Sequence, residues 1–126
     1  MPRILLVEDD PDVLTLFEEV LHIAGYHVET AETFRAADNL LTSGGYDLLV
    51  TDGRLPDGTG VVLADKAKAQ GVAALIVTGF LHALDLGSPS ADLNQYTILR
   101  KPVTPQVLLG ALTKTMAAAN LHKTSG

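Results

Sequence analysis

The sequence predicts an α/β domain in which helices cover both faces of a parallel sheet. Three runs are apolar at successive positions, as strands buried on both faces usually are: residues 4–7, 48–50 and 72–77. Segments with apolar residues at helical spacing alternate with these runs, which is the pattern of a doubly wound sheet. A chain of 126 residues is long enough for one such core but not for two independent ones.

The N-terminal third is predicted to contain a strand, a helix and a second strand. Residues 3–7 form the first strand. Asp10 and Pro11 then give the N-cap and first-turn signals of a helix that ends at Gly25. Residues 26–31 alternate polar and less polar side chains, which is typical of a strand at the edge of a sheet.

The middle third repeats this alternation. A second helix is predicted over about residues 33–42, and a third, apolar strand ends at Asp52. A loop at residues 53–58, rich in Gly and Pro, leads into a third helix over about residues 59–70. A fourth strand follows at residues 72–77.

The last third is less regular. Residues 80–95 include apolar side chains that fit a short helix, but Gly87-Ser88-Pro89-Ser90 interrupts it, so an atypical fourth helix is expected. Residues 96–100 give a fifth strand, and Thr104-Pro105 begins a final helix. The predicted buried positions of this helix are Val107, Leu108, Ala111, Leu112 and Met116.

Five strands that alternate with helices predict a parallel sheet with right-handed crossovers. Because the first, third and fourth strands are the most apolar, they should lie in the centre, with the second and fifth at the edges. This gives the strand order 2-1-3-4-5 of the flavodoxin-like doubly wound fold, in which the carboxyl ends of strands one and three are neighbours. We expect one domain over residues 1–120, followed by a flexible tail at residues 121–126.

The composition argues against several classes of function. A formal net charge of -6 disfavours binding to the nucleic acid backbone, which needs clustered Lys and Arg. The absence of Cys removes disulfides, thiolate catalysis and Cys-type zinc sites. No segment has the ~20 apolar residues of a membrane span or the core of a signal peptide, so a cytoplasmic location without membrane insertion is expected.

Five residues that carry chemistry lie at the ends of predicted strands. Glu8 and Asp9 follow the first strand, Asp52 ends the third, Thr78 follows the fourth and Lys101 follows the fifth. Since parallel strands end at the same edge of a sheet, these side chains should converge. Three crowded carboxylates repel one another unless a divalent cation keeps them ionised, and Mg²⁺ is an oxygen-ligated ion that fits.

This set of residues suits phosphoryl transfer. Such a transfer needs an oxygen nucleophile, a metal ion, a cationic side chain and hydrogen-bond donors around the equatorial oxygens. Asp52 would supply the nucleophile and Lys101 the cation. The Thr78 hydroxyl and backbone amides near Gly53 and Gly79 would supply the donors.

The ordered motifs resemble those of one known family. They are Leu6-Val7-Glu8-Asp9-Asp10, Thr51-Asp52 followed by Leu55-Pro56 and Gly60, Val77-Thr78-Gly79, and Lys101-Pro102. This set is similar to that of the receiver domains of two-component response regulators, and the resemblance covers nearly the whole chain. It implies a signalling domain whose phosphorylation shifts a balance of conformers and alters the binding of a downstream protein.

The resemblance also implies the phosphoacceptor and the metal ligands. Asp52 would accept the phosphoryl group from the phosphohistidine of a histidine kinase or a histidine phosphotransfer protein. Asp9 would bind Mg²⁺, or Mn²⁺ in its place, directly, and Glu8 would bind it through water. Asp52 and the backbone carbonyl of Arg54 would complete the protein's ligands. The domain would catalyse only its own phosphorylation and dephosphorylation.

The same resemblance assigns the switch residues and shows where this chain departs from the family. Thr78 would be the switch hydroxyl and Lys101 its cationic partner, with a cis peptide bond between Lys101 and Pro102. Ile98 stands where many receivers carry Phe or Tyr, and residues 80–95 replace a regular fourth helix.

Other interpretations stay open on the residues alone. A small metal-dependent phosphatase would use phospho-Asp52 only as an intermediate, and a pseudo-receiver would bind partners without phosphorylation. The chain is expected to be either a single-domain regulator or a receiver from a larger protein such as a hybrid sensor kinase. Asp57 lies in a Pro-Asp-Gly turn, where local hydrogen bonds are expected.

Overall fold

The computed structural model describes residues 2–79 and 96–125 of the chain. Helices and strands occur there in the order β1 (Arg3–Val7), α1 (Pro11–Ile23), β2 (His27–Ala31), α2 (Phe34–Ser43), β3 (Leu48–Asp52), β4 (Arg54–Leu55), β5 (Gly58–Thr59), α3 (Gly60–Ala69), β6 (Ala73–Thr78), β7 (Thr97–Arg100) and α4 (Pro105–Ser125). The atypical helix predicted at residues 80–95 lies outside the described residues. Over the described ranges, no helix has the length and apolar character needed to cross a membrane.

A parallel sheet organises the molecule, with the strand order β2-β1-β3-β6-β7. Since β6 and β7 are the fourth and fifth predicted strands, the predicted order 2-1-3-4-5 and the flavodoxin-like fold are confirmed. Val7 of β1 lies beside Thr51 of β3, and Asp52 lies beside Val77 of β6. The residues that follow β1 and β6 therefore emerge on either side of Asp52.

Two hydrophobic cores lie on opposite faces of the sheet. Because side chains alternate along a strand, Leu49 packs in one core, whereas Leu48 and Val50 pack in the other. The helical residues of the first core come from α2 and α3: Ala37, Leu41, Val61, Leu63, Ala64 and Ala67. Those of the second core come from α1 and α4: Phe17, Leu21, Leu108 and Leu112. Both faces are thereby removed from water, which is the main favourable contribution to folding.

The capping residues predicted from the sequence are in place. The Asp10 carboxylate accepts hydrogen bonds from the backbone N–H groups of Asp12 and Val13, at 2.9 and 3.4 Å, and Pro11 takes the first position of α1. The Thr104 hydroxyl accepts a hydrogen bond from a backbone N–H in the first turn of α4 at 3.3 Å. These bonds satisfy N–H groups that have no partner inside their own helix.

The final helix differs from the prediction at one buried position. Val107 was expected to be buried, but its side chain is 51% exposed. The buried stripe of α4 instead runs through Leu108 and Leu112, which are one helical turn apart. The helix also continues to Ser125, beyond the predicted domain end. The boundary at residue 120 stays a prediction.

The segment between β3 and α3 was predicted as a loop over residues 53–58, but it contains a small hairpin. β4 and β5 pair antiparallel, with Arg54 opposite Thr59 and Leu55 opposite Gly58. Strands of two residues are too short to show a period in the sequence. We refer to residues 54–59 as the hairpin.

A polar cluster joins β1, the edge strand β2 and the chain before β3. The Arg3 guanidinium donates a hydrogen bond to Glu29 Oε1 at 2.5 Å, and the Tyr46 hydroxyl donates one to Glu29 Oε2 at 2.6 Å. The same guanidinium lies 4.9 Å from the centre of the Tyr46 ring. The hydrogen bonds from Tyr46 and Arg3 hold the pKa of Glu29 below its usual value of 4.5.

Candidate functional site

Three carboxylates meet at the carboxyl edge of the sheet. Glu8 follows β1 and is 2% exposed, Asp52 ends β3 and is 8% exposed, and Asp9 is open to solvent. One carboxylate oxygen from each of the three residues lies within 4.8 Å of the other two. The structure therefore brings together the acidic residues that the sequence placed at strand ends.

Lys101 binds two of these carboxylates. Its Nζ donates hydrogen bonds to Glu8 Oε1 at 2.5 Å and to Asp52 Oδ2 at 2.9 Å. The Lys101 N–H donates to the Thr78 carbonyl oxygen at 3.0 Å, so the chain after β7 is tied to the end of β6. The peptide bond between Lys101 and Pro102 is cis, as the resemblance implied.

The buried charges shift each other's pKa values. Burial raises the pKa of Glu8 to about 7, although hydrogen bonds from Lys101 and from the Asp10 N–H act in the opposite direction. Burial alone would lower the pKa of Lys101, but its hydrogen bonds to Glu8 and Asp52 outweigh this effect and the pKa is raised. Lys101 is therefore charged in the folded protein across the physiological range.

The donor set of this cluster fits a Mg²⁺ ion. Mg²⁺ prefers hard oxygen ligands and usually takes one or two carboxylates together with waters and phosphate oxygens. Lys101 pairs with two of the three carboxylates, so a divalent cation would offset negative charge that remains in the cluster. Glu8, Asp9 and Asp52 are the side chains that would hold it.

An open cleft of about 400 Å³ leads to Asp52. It is lined by Asp9, Asp52, Arg54, Leu55, Pro56, Gly79 and Lys101. The Arg54 side chain is exposed, and its backbone N–H donates a long hydrogen bond of 3.4 Å to Asp52 Oδ1. Gly53 is buried between Asp52 and the hairpin, and Thr78 is fully buried directly before Gly79. Five of the predicted site residues thus line one opening: Asp9, Asp52, Arg54, Gly79 and Lys101.

Two contacts near the site were missed by the sequence reasoning. A Cβ atom on Gly60 would lie 2.0 Å from the carbonyl oxygen of Asp52, so only glycine permits this approach between α3 and β3. Asp57, expected to act within its turn, accepts hydrogen bonds from the N–H groups of Phe34 and Arg35 in α2, at 2.7 and 3.0 Å. Gly60, at the start of the predicted third helix, was a visible signal for the first contact. No local pattern indicates the second.

Comparison with known proteins identifies the family. Residues 4–113 match the family model described as the response regulator receiver domain. This chain belongs to that family of two-component signalling domains, which are not classical enzymes. The site described above lies within the matched residues.

Relatives of known name agree with this membership. The response regulator receiver protein CpdR of Brucella abortus (strain 2308) is 32% identical over 121 residues, which cover 94% of this chain and 100% of CpdR. The swarming motility regulation protein RssB of Serratia marcescens is 34% identical over 94 residues, which cover 68% of this chain and only 43% of RssB. A crystal structure of a response regulator receiver domain protein from Clostridium thermocellum superposes with a TM-score of 0.80 at 28% identity, covering 96% of this chain and 98% of that chain.

Proposed function

We propose that Asp52 accepts a phosphoryl group, with Mg²⁺, from the phosphohistidine of a histidine kinase or histidine phosphotransfer protein in the cytoplasm. The observation that carries this proposal is the environment of Asp52. Its carboxylate ends a central strand and lines an open cleft, with the Lys101 ammonium at 2.9 Å and the carboxylates of Glu8 and Asp9 beside it.

The transfer is a displacement at phosphorus. A carboxylate oxygen of Asp52 forms the new bond to phosphorus, while the bond from phosphorus to the partner's imidazole nitrogen breaks and the imidazole leaves with the electron pair. The Lys101 ammonium offsets the negative charge gathered on the two reacting groups. Bound Mg²⁺ would supply further positive charge to the phosphoryl oxygens. Its protein ligands would be Glu8, Asp9, Asp52 and the backbone carbonyl of Arg54.

Residues at the end of β6 would report the phosphorylated state. The Thr78 hydroxyl, together with the backbone N–H groups of Gly53 and Gly79, would hydrogen-bond the phosphoryl oxygens. The position of Gly79 in the cleft wall supports this assignment, since Thr78 directly precedes it. A shift of Thr78 toward the phosphoryl group would change the balance of conformers, and with it the affinity for a downstream protein.

Phosphorylation by a small donor tests the proposal. The native protein, incubated with acetyl phosphate and Mg²⁺, is expected to gain the mass of one phosphoryl group, and EDTA is expected to prevent the gain. Asp52→Asn should remain unmodified. Asp12→Asn, which makes the same chemical change at an exposed position of α1, should behave as the native protein. Equal phosphorylation of Asp52→Asn would refute the assignment.

The lifetime of the phosphorylated form separates signalling from the alternatives. A receiver is expected to keep the phosphoryl group after the donor is removed, long enough to bind a partner. Continuous hydrolysis of the donor without an adduct would indicate a phosphatase. Absence of both adduct and hydrolysis would indicate a pseudo-receiver.

A further inference from the structure

The hairpin has the Asp52 cleft on one side and α2 on the other. Arg54, Leu55 and Pro56 line the cleft. Asp57 and Gly58, at the tip of the same hairpin, contact the N-terminus of α2. The short segment between strand β3 and helix α3 therefore connects the reactive site to a helix on the face of the sheet.

Asp57 fastens the tip of the hairpin to α2. Its Oδ1 accepts the Phe34 N–H at 2.7 Å and its Oδ2 accepts the Arg35 N–H at 3.0 Å. These N–H groups have no partner within the helix, and the helix dipole favours an anion at this end. The helix's own N-cap, Thr33, serves a different group, the N–H of Ala36 at 3.1 Å. Both oxygens of one hairpin carboxylate thus complete the capping of α2.

Close packing restricts the same contact. A Cβ atom on Gly58 would lie 2.6 Å from the Phe34 ring, so the ring rests directly on the hairpin backbone. Lys66 of α3 lies over the same ring, with its Nζ 5.5 Å from the ring centre, and it pairs with Asp38 of α2 at 2.8 Å. The hairpin therefore packs against α2, and α2 is itself tied to α3, so little space is left for the tip to shift toward α2.

We propose that Asp57 is a positioning residue for the Asp52 site. By fastening the hairpin to α2 it fixes the backbone of Arg54, whose carbonyl would be a Mg²⁺ ligand in the function proposed above. Arg54 and Asp57 belong to the same small hairpin, so release of the tip also moves the segment beside Asp52. The inference rests on the proposed function, since it concerns the affinity of that site for Mg²⁺ and a phosphoryl group.

A Mg²⁺ titration followed by amide chemical shifts tests this role. Asp57→Ala is expected to raise the Mg²⁺ dissociation constant by about 10-fold, the lower end of what loss of a supporting contact costs a metal site. Thr33→Ala is the matched control, because it removes a capping bond from the same helix and leaves the hairpin attached. Its Mg²⁺ dissociation constant is expected to equal that of the native protein. Asp57→Asn, which keeps one acceptor oxygen, should give an intermediate value.

Hydrogen exchange gives a second measurement that does not depend on activity. If attachment of the hairpin to α2 favours ligand binding at Asp52, ligand binding must favour that attachment to the same extent. Mg²⁺ with beryllofluoride, a phosphoryl mimic, should therefore slow hydrogen exchange at the Phe34 and Arg35 amides in the native protein. In Asp57→Ala these amides should exchange quickly with or without the mimic. If Asp57→Ala does not fold, Asp57→Asn takes its place in both measurements.

The outcomes distinguish the two proposals. A native protein that binds neither Mg²⁺ nor beryllofluoride would overturn the proposed function and the role of Asp57 with it. A native protein that binds both, with an unchanged Mg²⁺ dissociation constant in the Asp57 variants, would overturn the role of Asp57 alone. An equal loss of affinity in Thr33→Ala would also overturn it, because Asp57 would then act only as a cap of α2.

Discussion

Lys101 is the residue whose charge offsets part of the negative charge of the carboxylates at the sheet edge. Its side chain is 26% exposed, whereas the side chains of Glu8 and Asp52, which it bonds, are 3% and 10% exposed. Ionised carboxylates that are this buried are costly unless a cation or several donors compensate them. The ammonium therefore contributes to folding as well as to the proposed chemistry.

Lys101→Met should make this contribution measurable, because methionine keeps the apolar stem and removes the charge. The free energy of unfolding in EDTA is expected to fall by about 1–3 kcal/mol, since two buried carboxylates lose a charged partner. Urea unfolding measures the change, and Mg²⁺ should restore part of the loss by binding the same carboxylates. The control is Lys114→Met, at an exposed position of α4. The role given to Lys101 would be refuted by equal stabilities of the two variants.

Among the elements, helix α3 packs closely on the strand that carries Asp52. The Gly60 N–H donates to the Gly53 carbonyl oxygen at 2.9 Å. A side chain at Gly60 would clash with the Asp52 carbonyl oxygen, because its Cβ atom would lie only 2.0 Å from that oxygen. Gly110, inside α4, provides a contrast because its Cβ position has no neighbour within 4 Å.

Gly60→Ala and Gly110→Ala should therefore change stability in opposite directions. Gly60→Ala is expected to cost about 1–3 kcal/mol through overpacking, and to weaken beryllofluoride binding by displacing Asp52. Gly110→Ala should stabilise α4 by up to about 1 kcal/mol, because alanine loses less conformational freedom in a helix. Urea unfolding of both variants checks the signs. A neutral Gly60→Ala would show that α3 tolerates displacement from β3.

For the whole molecule, the cluster of Arg3, Glu29 and Tyr46 makes stability depend on pH. It ties together the first two strands and the chain before β3. The pKa of Glu29 is lower in the folded protein than its usual 4.5, chiefly through the hydrogen bond from Tyr46 and then that from Arg3. The stabilisation is thus present above pH 4.5 and is lost as the pH falls through the folded-state pKa.

Urea unfolding of the native protein and of Glu29→Gln, from neutral pH downward, tests this dependence. The native protein should be the more stable of the two above pH 4.5, and the difference should shrink below that pH. Taking the difference between the proteins removes the contributions of all other acidic groups. A difference that stays constant with pH would show that the ionised carboxylate contributes nothing.

The sequence predicted the topology of the whole molecule because the buried strands are apolar on both faces and the edge strand β2 is not. It also placed Glu8, Asp9, Asp52 and Lys101 at one edge, since each follows or ends a strand. It could not predict that Asp57 caps α2. The two hydrogen bonds link Asp57 to Phe34 and Arg35, which precede it in the chain by 23 and 22 positions, and only the folded sheet brings these residues together. The exposure of Val107 was likewise set by how α4 lies on the sheet.

The alternation of Leu48, Leu49 and Val50 between two cores affects how such a protein can evolve. Residues adjacent in the chain belong to separately packed layers, so substitutions in one layer do not have to be matched by substitutions in the other. A substitution in the core under α2 and α3 is therefore expected to add its effect on stability to that of a distant substitution in the core under α1 and α4. The reactive edge constrains both layers, because it is built from the ends of strands that the two layers share.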